Sequence, residues 1–261
     1  MRANQFFKFR HYKFAGLLLV TFSTSLFAGS SDMHTTTNNW SGFYLGGTSG
    51  YIRGNANQSI SFHNSWLNDG TQDNIFLTQF TDKQLKANGF VGGIQAGYNY
   101  QIKHWVPGIV TDFAYIDLSK KYASGVVTNV FSGSSYTVEA SYKANWLLTI
   151  RPRLGYSFGR LLPYITGGFA VAHEKYSQTI TQQNVVFTEK GALSKEEIGW
   201  TVGAGTDLAL TRCWQLMAEY LYVRLRSASI NGVGTIVNYD ATHSVQLNAH
   251  IVRMGINYTF S

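Results

Sequence analysis

Charge is scarce in this chain of 261 residues. Asp, Glu, Lys and Arg together make up 13%, about half the roughly 25% of an ordinary soluble domain, so a fully hydrated surface is hard to build from it. Proline occurs three times, and the chain lacks the Pro- or Ser-rich tracts of a disordered, low-complexity protein. Cysteine occurs once, at Cys213: it can form no internal disulfide, lies far from the N-terminal region where a lipid anchor would attach, and leaves the redox compartment unread. No apolar run reaches the roughly 20 residues of a membrane-spanning helix. The longest has 14, Phe14 to Phe27, which excludes a helical membrane protein.

That run has the layout of an export signal. Arg2, Lys8, Arg10 and Lys13 precede the apolar Ala15-Gly16-Leu17-Leu18-Leu19-Val20, and small residues follow, with cleavage expected after Ala28. Residues 1–28 are therefore read as a signal peptide, 29–42 as an N-terminal periplasmic segment and 43–261 as the folded domain. Removing the four basic residues from 21 leaves 17 against 14 acids, so the mature net charge is near +3 instead of +7. The alkaline balance belongs mostly to the signal and does not argue for a nucleic-acid partner.

What the chain has in quantity is aromatic residues, 15%, and 26 glycines. Past residue 40 they gather in segments of period-2 hydrophobicity, and none shows the 3.6-residue spacing of a helix. Eight such segments can be counted, at 43–53, 87–101, 105–118, 144–158, 161–175, 198–210, 214–226 and 247–260. The intervals between them alternate long and short: 54–86, 102–104, 119–143, 159–160, 176–197, 211–213 and 227–246. Strict alternation of tight turns with long excursions predicts an all-β, eight-stranded antiparallel up-and-down transmembrane β-barrel with short periplasmic turns and long external loops.

Face assignment points the same way. The parity Phe90, Gly92, Ile94, Ala96, Tyr98, Tyr100 opposes Val91, Gln95 and Asn99, and Trp146 to Phe158 on even positions opposes Thr149, Arg151 and Arg153. Segments 1 and 5 alternate too weakly to assign. Aromatics on the lipid-facing parity recur ten residues apart, Phe90 to Tyr100, Trp105 to Tyr115 and Trp146 to Tyr156. Such a span, tilted, rises about 25 Å, the height of the apolar band between two aromatic girdles. Trp200, Trp214, Tyr222, Tyr258 and Phe260 complete the expected girdles. A β-sandwich with an aromatic core remains an alternative for the alternation, but not for the loop lengths. The polar parity collects Asp112, Arg151, Arg153, Asp207, Glu219 and Arg253, three acids and three bases. Equal numbers inside a narrow barrel predict a paired, structural lumen network whose pairing the sequence leaves open.

Several strand phrases carry a resemblance: Trp40-Ser41-Gly42-Phe43-Tyr44-Leu45-Gly46-Gly47, Gly92-Gly93-Ile94-Gln95-Ala96-Gly97-Tyr98-Asn99-Tyr100, Arg153-Leu154-Gly155-Tyr156-Ser157-Phe158, Pro163-Tyr164-Ile165-Thr166-Gly167-Gly168-Phe169-Ala170, Gly199-Trp200-Thr201-Val202-Gly203-Ala204-Gly205 and Val252-Arg253-Met254-Gly255-Ile256-Asn257-Tyr258-Thr259-Phe260. Over residues 40–260 the chain resembles the opacity-type, OmpA-like small outer-membrane barrel antigens. The resemblance implies an eight-stranded barrel in the outer membrane of a Gram-negative cell, and roles such as surface antigen, adhesin or haemin binder. The family's assembly signal typically ends on an aromatic residue, whereas here Phe260 is followed by Ser261.

Catalytic groupings are thin. His173 beside Glu174, and His243 beside Ser244, supply the residue types of a nucleophile–base–acid site, and His63 with His243 could ligate haemin; rim or loop residues without chemistry are the plainer reading of both. No metal-spaced cluster and no phosphate-cradling loop ahead of a helix is present, so neither cofactor nor enzymatic activity is expected. The expectation is a surface protein acting through external loops, with a small passive channel as the alternative. Its expected partners are outer-membrane lipid, the outer-membrane assembly machinery and a host or matrix ligand, with no nucleic acid.

Overall fold

The computed structural model describes residues 39–260 except 69, 71 and 237; the signal-peptide reading and Ser261 lie outside them. In chain order the elements are β1 (Gly42–Phe62), α1 (Ser65–Asn68), α2 (Asp73–Thr81), β2 (Gln84–Asn99), β3 (Trp105–Thr128), β4 (Ser135–Tyr156), β5 (Leu161–Gln182), β6 (Phe187–Ala209), β7 (Trp214–Leu225), β8 (Ala228–Asn231), β9 (Val233–Gly234) and β10 (Ala241–Phe260). Eight long strands, β1 to β7 and β10, pair antiparallel with their neighbours, and β10 closes the ring onto β1 from Phe43↔Phe260 to Phe62↔Ala241. Closure leaves the membrane zone without a sheet edge, as hydrocarbon requires. The short β8 pairs β10, and β9 pairs β6.

The strands are taller than the sequence pattern indicates. Much of what reads as loop at 119–143 and 176–197 is strand, leaving turns at 129–134 and 183–186. β1 and β10 likewise run into the intervals 54–86 and 227–246. The cause is an inversion of polarity along each strand. Near the periplasmic end β4 turns Trp146, Leu148, Ile150, Pro152 and Leu154 outward and Thr149, Arg151 and Arg153 inward. Further out the same strand turns Tyr136, Val138, Ala140, Tyr142 and Ala144 inward and Thr137, Glu139, Ser141 and Lys143 outward. The lower half has the pattern of a strand in lipid, and the upper half that of a strand in water. Both are strands, but a search for apolar-out alternation finds only the first. At the changeover the ladder slips, between Tyr115 and Leu118 on β3 and between Ala144 and Leu147 on β4; bulges of this kind locally re-aim side chains.

Three apolar clusters lie within the ring. Trp40, Val106, Leu162 and Ala209 fill the periplasmic end, where Trp40 Nε1 donates to Ser157 Oγ at 3.0 Å. A larger cluster that includes Ile52, Leu85, Val91, Leu118, Leu147, Leu221, Leu247 and Ile251 fills the middle. At the external mouth Ile60, Phe62, Trp66, Leu77, Tyr136, Val138, Ile180 and Phe187 form a third, which brings α1 and α2 over the opening.

Candidate functional site

Between the periplasmic plug and the middle cluster lies a layer of charge. Asp112 on β3, Arg151 and Arg153 on β4, Asp207 on β6, Glu219 on β7 and Arg253 on β10 are all buried inside the barrel. Four of them form a closed quartet: Arg151 reaches Asp112 at 2.8 Å and Glu219 at 3.0 Å, and Arg253 reaches the same two acids at 2.9 and 2.6 Å. Each guanidinium therefore serves two carboxylates, a geometry its planar fork of donors suits. Arg253 and Glu219 face each other directly across the β10–β7 ladder, and Arg151 reaches Asp112 across the adjacent β3–β4 ladder, whereas the contacts from Arg253 to Asp112 and from Arg151 to Glu219 join strands that are not neighbours. Arg153 pairs separately with Asp207 at 2.6 Å. The layer is electrically neutral, as a buried set of charges must be to avoid an uncompensated ion.

Residues outside the charged set complete the layer. The Arg153 guanidinium stacks on Tyr164 at 3.7 Å from the ring centroid and lies 5.9 Å from that of Tyr44, and the Tyr164 hydroxyl donates to Glu219 at 3.1 Å. Tyr44 and Tyr164 lie on β1 and β5, the two strands whose faces the sequence leaves unassigned. Each stands opposite a glycine, Tyr44↔Gly97 and Tyr164↔Gly205, and a Cβ at either glycine would run into the tyrosine ring. An inward tyrosine opposite a glycine on the next strand is the sequence signal that could have placed them. Gln95, opposite Asp112 on the β2–β3 ladder, donates from Nε2 to Asn257 Oδ1 at 2.6 Å.

The expected girdle residues lie on the outer face in two rows. Tyr115↔Trp146, with Phe90, Trp200 and Tyr222, mark the external row, and Trp200 and Tyr222 are in ring contact at 5.5 Å. Tyr100, Trp105↔Tyr156, Trp214↔Tyr258 and Phe260 mark the periplasmic row, with ring separations of 5.2, 5.1 and 5.0 Å for Trp105–Tyr156, Trp214–Tyr258 and Tyr258–Phe260.

The histidine groupings are not assembled. His173 faces outward, stacked on Trp146 and 3.5 Å from Glu196, while its neighbour Glu174 faces inward and accepts a hydrogen bond from the Tyr142 hydroxyl. Ser244 pairs with Ser229 at 2.8 Å on the outer surface. His243 is buried with both ring nitrogens engaged, Nδ1 to Gln178 Oε1 at 2.8 Å and Nε2 to Glu189 Oε1 at 2.7 Å. His63 is exposed and bonds Thr242 at 2.9 Å. The expected combination of His173 with Glu174 and of His243 with Ser244 is thus not assembled; His173 instead lies between Ser194 Oγ, 3.4 Å from its Nε2, and Glu196, 3.5 Å from its Nδ1, on the outer wall, and His243 presents no free nitrogen to a haemin iron. Its bonds instead tie β10 to β5 and β6. The cap is fastened by Asp73 at the start of α2, whose carboxylate accepts from Asn129, Ser132 and Tyr136 at 2.6, 2.7 and 2.7 Å.

A closed antiparallel ring with an apolar outer band between two aromatic rows defines a transmembrane β-barrel of the outer-membrane kind. Residues 15–260 match the outer membrane protein beta-barrel domain family, and the chain belongs to it. It is similar to the 31 kDa outer-membrane immunogenic protein of Brucella melitensis biotype 1, 33% identical over 228 residues that span 86% of this chain and 85% of the relative. It is also similar to the 22 kDa outer membrane protein of Rhizobium leguminosarum bv. viciae, 27% identical over 188 residues, 72% of this chain and 65% of that one. Among solved structures, Neisserial surface protein A aligns over 84% of this chain and 98% of its own at 15% identity, with a TM-score of 0.38. The protein is a small outer-membrane barrel of the antigen type, located in the outer membrane.

Proposed function

We propose that this barrel is a non-enzymatic surface protein that carries an external crown for contact with a host, matrix or envelope partner, and that it conducts no solute. The supporting observation is the filling of its interior in layers: apolar plug, neutral ion-pair layer, apolar cluster, capped mouth. Eight strands leave an interior just wide enough for side chains, and here side chains occupy it. A surface role is further supported by the relatives' description as outer-membrane immunogenic proteins. The crown that would meet a partner consists of α1, α2, β8, β9 and the upper thirds of the long strands. Purified protein in a planar bilayer is expected to give no single-channel steps. Cells bearing a barrel in which residues 63–83 are replaced by a short turn are expected to lose partner binding while keeping the barrel. Reproducible conductance steps from the intact protein would overturn the closed-barrel reading in favour of a passive channel.

A further inference from the structure

Just above the external aromatic row, the outer wall of β3–β5 sets two lysines directly against each other. Lys143 on β4 stands directly opposite Lys175 on β5. It is the one opposed pair of like charges in the strand ladders of the described residues. Like charges placed opposite each other on one sheet face destabilise the pairing. Lys121 follows one step higher on β3, and Ser119, Ser141 and Ser177 fill the outward positions between the lysines. Among the described residues no carboxylate forms an ion pair with Lys121, Lys143 or Lys175, all of which are exposed. The outward acids nearest in register are Asp117 and Glu196, lower on the neighbouring strands, and Glu139, higher on β4 and diagonal to Lys121; Glu196 is taken up by His173 at 3.5 Å. The lysines and serines line a shallow recess of about 510 Å³ in the wall.

Height above the membrane bears on what the two lysines meet. Tyr115, Trp146 and the stacked His173 mark the top of the apolar band on these same three strands, so Lys143 and Lys175 stand at the level of lipid headgroups. Lysines at that level are drawn to anionic headgroups within a Debye length. Opposed Cβ atoms about 5 Å apart, with the next outward residue about 7 Å along the strand, let two ammonium groups and a hydroxyl converge on one phosphate. Ammonium groups and hydroxyls both donate to phosphate oxygens. We propose that this wall binds the phosphate groups of a phosphorylated glycolipid of the outer leaflet, with Lys143 and Lys175 as the principal contacts and Lys121, Ser119, Ser141 and Ser177 around them. The site lies on the side of the barrel, apart from the crown, and it would stand whether or not the crown binds a partner.

The test uses the full-length folded barrel in detergent, titrated with bisphosphorylated lipid A. Wild type is expected to bind, and the affinity is expected to fall by about tenfold or more in Lys143→Ser/Lys175→Ser, since two headgroup-level cations are lost. Lys143→Arg/Lys175→Arg should retain binding, and Lys83→Ser/Lys86→Ser, elsewhere on the barrel, should bind as wild type does. Heat-modifiable migration of each variant reports that it is folded. A second arm needs no variant: lipid A stripped of both phosphates should bind wild type as weakly as intact lipid A binds the serine double variant. Equal binding of the phosphorylated and stripped forms overturns the proposal, as does unchanged affinity in the serine variant. Inorganic phosphate binding as tightly as lipid A, or a soluble sulfated polysaccharide binding through the same lysines in preference to lipid A, would overturn the assignment to a lipid.

Discussion

At the scale of single residues, the lumen charges are balanced so that removing any one of them leaves a buried charge uncompensated. Breaking a buried pair from one side costs about 3–5 kcal/mol. Arg151→Ala and Glu219→Ala are each expected to lower the unfolding temperature in detergent by that order of free energy. Because Arg151 and Glu219 contact each other at 3.0 Å, their double variant should recover part of the loss, as it leaves Arg253 and Asp112 matched. Arg153→Ala combined with Glu219→Ala should recover less, since Arg153 is paired with Asp207. A double-mutant cycle with equal coupling for the two combinations would show that the pairing is wrong.

At the scale of elements, the cap is two short helices packed through one apolar cluster onto the external ends of the strands. Trp66 of α1 is buried against Phe62, Phe187 and Tyr239 at ring separations of 5.1, 5.5 and 5.2 Å, and a four-residue helix has no stability of its own. Truncating a buried tryptophan to alanine costs about 3–5 kcal/mol. Trp66→Ala should therefore release the cap before the barrel: protease should cut within 63–83 on intact cells, while heat-modifiable migration stays as in wild type. Loss of both together would mean that cap and barrel fold as one unit. The strands themselves teach where sequence reading stopped. Val138, Ala140, Tyr142 and Ala144 alternate as regularly as Leu148, Ile150 and Leu154, but with the apolar side turned in. A rule tuned to lipid-facing residues reads the first set as loop.

At the scale of the whole molecule, the solvent changes along the strands, from lipid around the lower half to water around the upper, and the interior compensates in antiphase. Where the outside is apolar the inside carries the ion-pair layer, and where the outside is polar the inside is the aliphatic cluster. That antiphase is why the silent bilayer is expected of the entire barrel and not of one gate. Local alternation, aromatic spacing and turn lengths determined the ring of eight strands, its outer face and the inward position of Asp112, Arg151, Arg153, Asp207, Glu219 and Arg253, because period and burial are properties of short stretches of chain. Tertiary structure alone decided which acid meets which base, since Asp112 and Arg253 are 141 positions apart and meet only across a closed ring. It also decided that Tyr44 and Tyr164 flank Arg153, that His243 is locked between Gln178 and Glu189, and that Lys143 faces Lys175. Each of these depends on register, where a slip of one residue turns every side chain to the opposite face.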